Sequence, residues 1–180
     1  MNTLVSLVNE ALGILTIIGQ AGIVVFIAAY FLSRNFFGVV SRQAGERALL
    51  LAFIFSLTAT LGSLFYSEVA GFEPCKLCWF QRIFMYPQAI ILGMALFRKD
   101  PGVRIYSLTL SVIGALIAGY HYLLQLGAAP ALPCAAVGYS AACSQRFVLQ
   151  FGYITIPMMA FTAFLMIIVV LAAQKFKASE

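Results

Sequence analysis

The sequence predicts an all-α polytopic membrane protein with five spans, and three observations carry that reading. Of its 180 residues, 63% are hydrophobic and 9% charged, where a soluble domain carries about 45–50% apolar and about 25% charged residues. The apolar residues gather in five runs, each about long enough to cross a hydrocarbon core of roughly 30 Å. The basic residues fall between those runs in an alternating pattern. This composition excludes a soluble enzyme and a disordered tail. The net charge of +5 is spread over several loops rather than gathered in one patch, which argues against a nucleic-acid partner.

The first run is about 11–32, diluted by Gly13, Gly19, Gln20 and Gly22. No basic segment precedes it, and Arg34 follows it. It therefore reads as a first span inserted with its N-terminus outside, rather than as a cleavable signal. The second run is about 48–66, the third 80–97, the fourth 105–126 and the fifth 154–173. With short connections and no internal repeat, residues 1–180 read as one integral membrane domain.

Orientation follows from charge. Arg34, Arg42 and Arg47 lie between the first two spans, and Arg98, Lys99 and Arg104 between the third and fourth. Lys175 and Lys177 follow the fifth. Loops rich in Lys and Arg stay in the cytoplasm, so the N-terminus is expected outside and the C-terminus inside. An odd number of spans agrees with that.

The four cysteines were not used in that argument, and all of them fall on the outer side. Cys75 and Cys78 precede the third span, and Cys134 and Cys143 lie between the fourth and fifth. Disulfides persist on that oxidising side. Two structural staples are one reading. Against it, a bridge between residues three apart closes a tiny loop and stabilises little, whereas C-x-x-C is the spacing of a dithiol that opens and closes. Pro74 sits at a plausible first helical position, and the helix N-terminus and Lys76 both favour thiolate. The second pair lies in a loop with Pro130, Pro133 and Gly138, which is expected to be mobile enough to meet a soluble partner. Two pairs in two settings suggest a relay. A zinc site is disfavoured, because Cys134 and Cys143 lack short ligand spacing.

Arg82 lies one helical turn beyond Cys78 and two beyond Cys75, on one stripe. An arginine inside a span is costly and points to function unless it snorkels to the headgroups. In a functional role it would donate hydrogen bonds to a carbonyl oxygen of a bound ring. His121 lies near the outer end of the fourth span, at a depth expected to match Arg82, where it either bonds a neighbouring helix or handles protons. Tyr66, Trp79, Tyr86, Tyr120, Tyr122 and Tyr153 read as an interfacial belt. Electrons arriving as thiols need an acceptor. The chain has no dinucleotide-binding glycine motif and no haem attachment motif, so a lipid-soluble quinone fits best.

The run Pro74-Cys75-Lys76-Leu77-Cys78-Trp79-Phe80-Gln81-Arg82 resembles the P-C-x-L-C-x-x-x-R signature of the bacterial disulfide-bond formation protein B (DsbB) family. Cys143, Gln145-Arg146 and then Pro157 at a span start are similar to that family's later motif. The resemblance covers roughly residues 48–175. It implies a four-helix transmembrane bundle in the bacterial cytoplasmic membrane, to which the first apolar run adds one N-terminal helix. It also implies that Cys134 forms a mixed disulfide with a reduced, DsbA-like thioredoxin-fold oxidase. Cys143 then exchanges with Cys75, Cys78 faces ubiquinone or menaquinone, and Arg82 binds that quinone. His121 resembles the family's histidine in the corresponding span, which implies a second quinone-binding residue. The extra span and a short segment between Cys134 and Cys143 depart from well-known members. A quinone-linked oxidoreductase of the vitamin K epoxide reductase type is a rival, but there the loop pair precedes the C-x-x-C. A small transporter or scaffold with two structural disulfides is the rival from another class.

Overall fold

A computed structural model describes residues 3–32, 47–100, 102–129 and 141–177. Its helices are α1 (Thr3–Leu32), α2 (Ala48–Leu64), α3 (Lys76–Arg98), α4 (Val103–Gln125) and α5 (Ile156–Lys177). A wider π-helical turn, Phe65–Val69, extends α2, and a single helical turn, Ala141–Ser144, precedes α5. Five helices among the described residues are long and apolar enough to cross a membrane.

The helices α2, α3, α4 and α5 form a ring in which each packs on the next and α5 closes onto α2. The core between them is built from Ala48, Ala52, Leu92, Ala118, Phe164, Ile167 and Leu171. Small residues let the backbones approach, as membrane helix pairs require. The tightest such notch is Gly114 of α4, where an added Cβ would overlap the ring of Phe164 from α5. Several polar groups inside the ring are paired between helices. Gln88 Oε1 accepts from Ser107 Oγ at 2.7 Å and Ser111 Oγ at 3.0 Å, and Arg104 Nε donates to the Leu171 carbonyl at 2.8 Å. In a hydrocarbon surrounding, groups left without such partners would each cost several kcal/mol, on the order of the penalty for an unpaired amide.

Helix α1 stands outside the ring and packs on α5. Its buried positions in the first half, Val5, Asn9, Gly13, Thr16 and Gly19, recur every three or four residues and form one narrow stripe, and Ala29 is buried further on. The rest of its surface, including Leu7, Ile18, Val24 and Phe31, is exposed apolar side chain suited to lipid.

Helix boundaries depart from the apolar runs in two instructive places. Helix α1 begins at Thr3 rather than near Ala11, because Asn9 and Glu10 interrupt hydropathy without interrupting helical hydrogen bonding. Helix α3 begins at Lys76 rather than near Phe80, because its start is set by a cap and not by apolarity. That cap also corrects the expected role of Pro74. The N-cap is Cys75, with extended backbone, so Pro74 precedes the cap instead of opening the helix.

Candidate active site

The site is built on the N-terminal turns of α3. Cys75 caps the helix, its Sγ accepting from the Cys78 backbone N–H at 3.4 Å. This fold-back brings the two sulfurs to 3.1 Å, and both are free thiols. Yet the two side chains have different neighbours. Cys75 is buried in a cluster with Leu77, Leu124 and Cys143. Cys78 lines a cavity of about 380 Å³, as do Gln81, Arg82, Ser63 and Tyr86, and Cys75 is not among the lining residues.

On the Cys75 side stands His121, 2% exposed. Its Nε2 lies 3.7 Å from Cys75 Sγ and 3.1 Å from the Cys143 carbonyl oxygen. Gln81 Nε2 lies 3.0 Å from His121 Nδ1. With the Gln81 amide donating to Nδ1, the hydrogen-bond pattern assigns the ring proton to Nε2, facing the carbonyl. The Cys78 thiol, hydrogen-bonded to Cys75 Sγ, holds the Cys75 thiol down at about 4, against burial, which pushes it up; the neighbouring imidazole lowers it further. The thiolate is the nucleophile in thiol–disulfide exchange. The two sulfurs and a ring nitrogen of His121 also lie within 4.8 Å of one another, a donor set able to hold a soft metal ion.

Cys143 is disulfide-bonded and fully buried; Cys134 lies outside the described residues. The segment carrying Cys143 is fastened to the outer end of α4. His121 meets the Cys143 carbonyl, Gln125 Nε2 donates to the Gln145 carbonyl at 3.1 Å, and Arg146 donates through Nε and Nη2 to the Gln125 carbonyl. The expectation of a mobile loop is therefore corrected at its Cys143 end. Residues His121 and Gln125, one turn apart on α4, hold this end down, and proline and glycine content gave no sign of them.

On the Cys78 side, Arg82 is buried and not snorkelling. Its Nε donates to Ser63 Oγ at 3.0 Å and its Nη2 to the Ser63 carbonyl at 3.0 Å. Tyr86 also donates to Ser63 Oγ, at 3.1 Å. Ser63 thus takes only part of the guanidinium donor set, and Nη1 makes no hydrogen bond among the described residues. The guanidinium carbon sits 5.2 Å from the Trp79 ring centroid and 5.9 Å from that of Tyr86, within cation–π range. Three stacked rings line the cavity at the end where α2 gives way to the loop before Cys75. Phe72 lies between Tyr66 at 5.9 Å and Phe147 at 5.0 Å. Tyr66 sits in the π-helical turn, a form that recurs at functional sites. The remaining lining is mostly apolar and comes chiefly from α1, α2 and α5, with Glu73 and Pro74 from the loop before Cys75 and Met85 from α3.

The structure thus brings Cys75, Cys78, Arg82, His121 and Cys143 to one end of the bundle, but sorts them. Cys78 and Arg82 share the cavity; Cys75, His121 and Cys143 share a buried cluster beside it. His121 is not a lining residue and contacts Cys75 instead of sharing a pocket with Arg82. Sequence reasoning missed Gln81, Ser63 and the cavity-lining roles of Tyr66 and Tyr86. Gln81 carried a signal, as an uncharged polar residue on a membrane helix beside Arg82; the tyrosines carried none beyond that of an interfacial belt.

A helical membrane bundle with a low-pKa thiol in a C-x-x-C, a second cysteine against it and an adjoining cavity defines a membrane thiol oxidoreductase. Its family follows from comparison with known proteins. The family model for disulfide bond formation protein DsbB matches residues 45–174, and the chain belongs to that family. It is 48% identical over 124 residues to a probable disulfide formation protein C of Bacillus cereus, covering 69% of this chain and 88% of the relative. It is 42% identical over 134 residues to the disulfide bond formation protein C of Bacillus subtilis, covering 73% and 95%. An SPbeta prophage-derived disulfide bond formation protein B of Bacillus subtilis is 44% identical over 118 residues, covering 66% and 78%. No solved structure gives a significant match.

Proposed function

We propose that this protein reoxidises an extracytoplasmic, DsbA-like thioredoxin-fold dithiol oxidase and passes the electrons to a membrane quinone, ubiquinone or menaquinone. The bundle would sit in the bacterial cytoplasmic membrane with the N-terminus and all four cysteines outside. The observation that carries the reading is the sorting of the dithiol. Cys78 shares a cavity with Arg82, while Cys75, 3.1 Å away, shares a cluster with His121 and Cys143.

Each step conserves atoms and electrons. A thiolate of the reduced partner attacks the Cys134–Cys143 disulfide at Cys134, forming a mixed disulfide and releasing Cys143 as thiolate. The partner's second thiol resolves it, so the partner leaves oxidised and Cys134 reduced. The Cys143 thiolate then attacks an oxidised Cys75–Cys78 bridge at Cys75, displacing Cys78 as thiolate; Cys134 next resolves the Cys75–Cys143 bond, restoring the loop disulfide and leaving Cys75 and Cys78 reduced. His121, against both Cys75 Sγ and the Cys143 carbonyl, would hold the attacking segment on its target. Arg82 would hold an anionic or carbonyl oxygen beside Cys78 with the donors that Ser63 leaves unspent.

The cavity fits a quinone. Ser63, Gln81, Arg82 and Tyr86 line it together with Cys78, and its other lining is mostly apolar, with Glu73 and the hydroxyls of Thr16, Thr58, Tyr66 and Thr162 among it. Its volume of about 380 Å³ falls in the range of small-molecule sites, roughly 300–1,000 Å³. Bound there, a quinone supplies the two-electron, two-proton acceptor that the dithiol requires.

The test is quinone reduction by the detergent-purified protein, supplied with a reduced thioredoxin-fold oxidase and followed by quinone absorbance. Turnover abolished by both Cys134→Ser and Cys78→Ser is the expected result. Folded protein that turns over neither ubiquinone nor menaquinone would overturn the reading.

A further inference from the structure

Helix α1 lies outside residues 45–174, the part matched by the family model, yet it meets the cavity that holds Cys78. Leu12, Leu15, Thr16, Ile18 and Gly19 of α1 all line it. Leu15 and Ile18 are also partly turned to lipid, but the face that carries Leu12, Thr16 and Gly19 is packed on α5 and touches α2 through Leu12.

On the α5 side the approach is close. A Cβ at Gly19 would lie 3.2 Å from Thr162 Cγ2, and one at Gly13 would lie 3.1 Å from the Phe151 ring. Gln20 links the same two regions. It donates through Nε2 to Thr162 Oγ1 at 3.3 Å and accepts from the Tyr153 hydroxyl through Oε1 at 2.7 Å. A glutamine inside an apolar span is costly unless paired, and here it is paired twice. On the α2 side, Leu12 Cδ1 lies 3.2 Å from the position a Cβ of Gly62 would take. Helix α1 therefore packs on α5 and reaches α2 through Leu12, with the cavity behind it.

The chemistry of the lining is graded. The charged and amide side chains, Glu73, Gln81 and Arg82, belong to α3 and the segment just before it, whereas α1 contributes aliphatic side chains, a glycine and Thr16, whose hydroxyl is already spent on the Leu12 carbonyl at 2.7 Å; the hydroxyl of Thr162, facing α1 from α5, is spent on Gln20 and the Met158 carbonyl. A ligand filling this space has a polar head toward α3 and an apolar body toward α1. Resting on the quinone reading above, we propose that α1 is a component of the quinone site: its Leu12–Gly19 face closes the cavity toward the bilayer and holds the isoprenoid tail. The tail, and not only the ring, is then selected by a helix outside the family's shared bundle.

The experiment compares the KM for an isoprenylated quinone with that for the tail-less ring of the same kind, in the full-length protein. Thr16→Phe fills the tail region, and the ratio of the two KM values is expected to rise about tenfold or more, the signature of lost binding to one part of a substrate. Val24→Trp, on the exposed face of the same helix, is the control for helix disturbance and should keep the parent ratio. A Thr16→Phe ratio within about twofold of the parent's would overturn the inference. A second readout does not depend on the variant folding. A quinone carrying a photoreactive isoprenoid chain is expected to label the peptide containing Leu12–Gly19, and labelling confined to α2 and α5 would overturn the inference. Parent protein that reduces both quinones while α1 proves indifferent removes only this inference; parent protein that reduces neither removes the quinone reading and this inference with it.

Discussion

His121 Nε2 lies 3.1 Å from the carbonyl oxygen of Cys143, so a side chain of α4 fastens Cys143 beside the first cysteine pair. The same nitrogen is 3.7 Å from Cys75 Sγ. Replacing the ring removes a tether between donor and acceptor sulfurs, and misplacement of a reacting group by about 1 Å can cost on the order of a hundredfold in rate. His121→Ala is therefore expected to slow exchange between the pairs about ten- to a hundredfold. Rapid acid quench and mass mapping of which cysteines are reduced would measure it. Exchange at the parent rate would reduce His121 to a packing role.

The depressed Cys75 thiol gives a pH signature. With its pKa lowered to about 4, the thiolate is present above that value and is lost only as pH falls through it. Alkylation of Cys75 in the reduced protein is thus expected to be nearly flat between about pH 8 and pH 5, where an ordinary thiol with pKa ≈ 8.5 loses about tenfold per unit. Cys78→Ala removes the leading cause of the depression, and its alkylation rate should fall as pH drops across that range. A flat profile in both proteins would assign the depression to another group.

Arg82 is held by Ser63 through two nitrogens, a fork that lysine cannot reproduce. Arg82→Gln is expected to raise the quinone KM by about tenfold or more, on the order of one charge-assisted hydrogen bond. Arg82→Lys should recover only part of that loss. Steady-state quinone reduction checks both, and an Arg82→Lys variant equal to the parent would mean that charge alone suffices.

The notch at Gly114 carries a stability prediction. A methyl there would overlap the Phe164 ring at the junction of α4 and α5, and overpacking of this kind costs about 1–3 kcal/mol. Gly114→Ala is expected to lower the detergent Tm, and Gly114→Ala with Phe164→Leu to recover part of it. Additive losses in the double variant would contradict the contact.

Much of this was legible in the sequence because hydropathy and charge act over whole spans. Five apolar runs became five helices, and Cys75, Cys78 and Arg82 declared themselves by spacing. What spacing could not resolve was the side of the helix on which each group acts. Cys75, Cys78 and Arg82 share a stripe by count, but Cys75 is a cap residue with extended backbone, so it leaves the stripe and turns toward α4. Tyr66 and Tyr86 looked like interfacial anchors because amphipathic rings suit both an interface and a cavity; only the approach of α2 to α3 distinguishes the two. The role of Gln81 depends on His121, forty residues away in the chain, and a single sequence does not encode which distant helix will be a neighbour. The same is true of α1, whose glycines spoke for close packing without naming the partner.

The division of the dithiol between two environments has a consequence for coupling. Cys75 is sealed in a protein-lined cluster, and Cys78 opens onto the cavity. If the cavity holds the electron acceptor, electrons that enter at Cys75 reach it through Cys78. The two sulfurs are then the wire between a protein partner on one side and a lipid-soluble one on the other, and each acceptor molecule spent is coupled to one disulfide made.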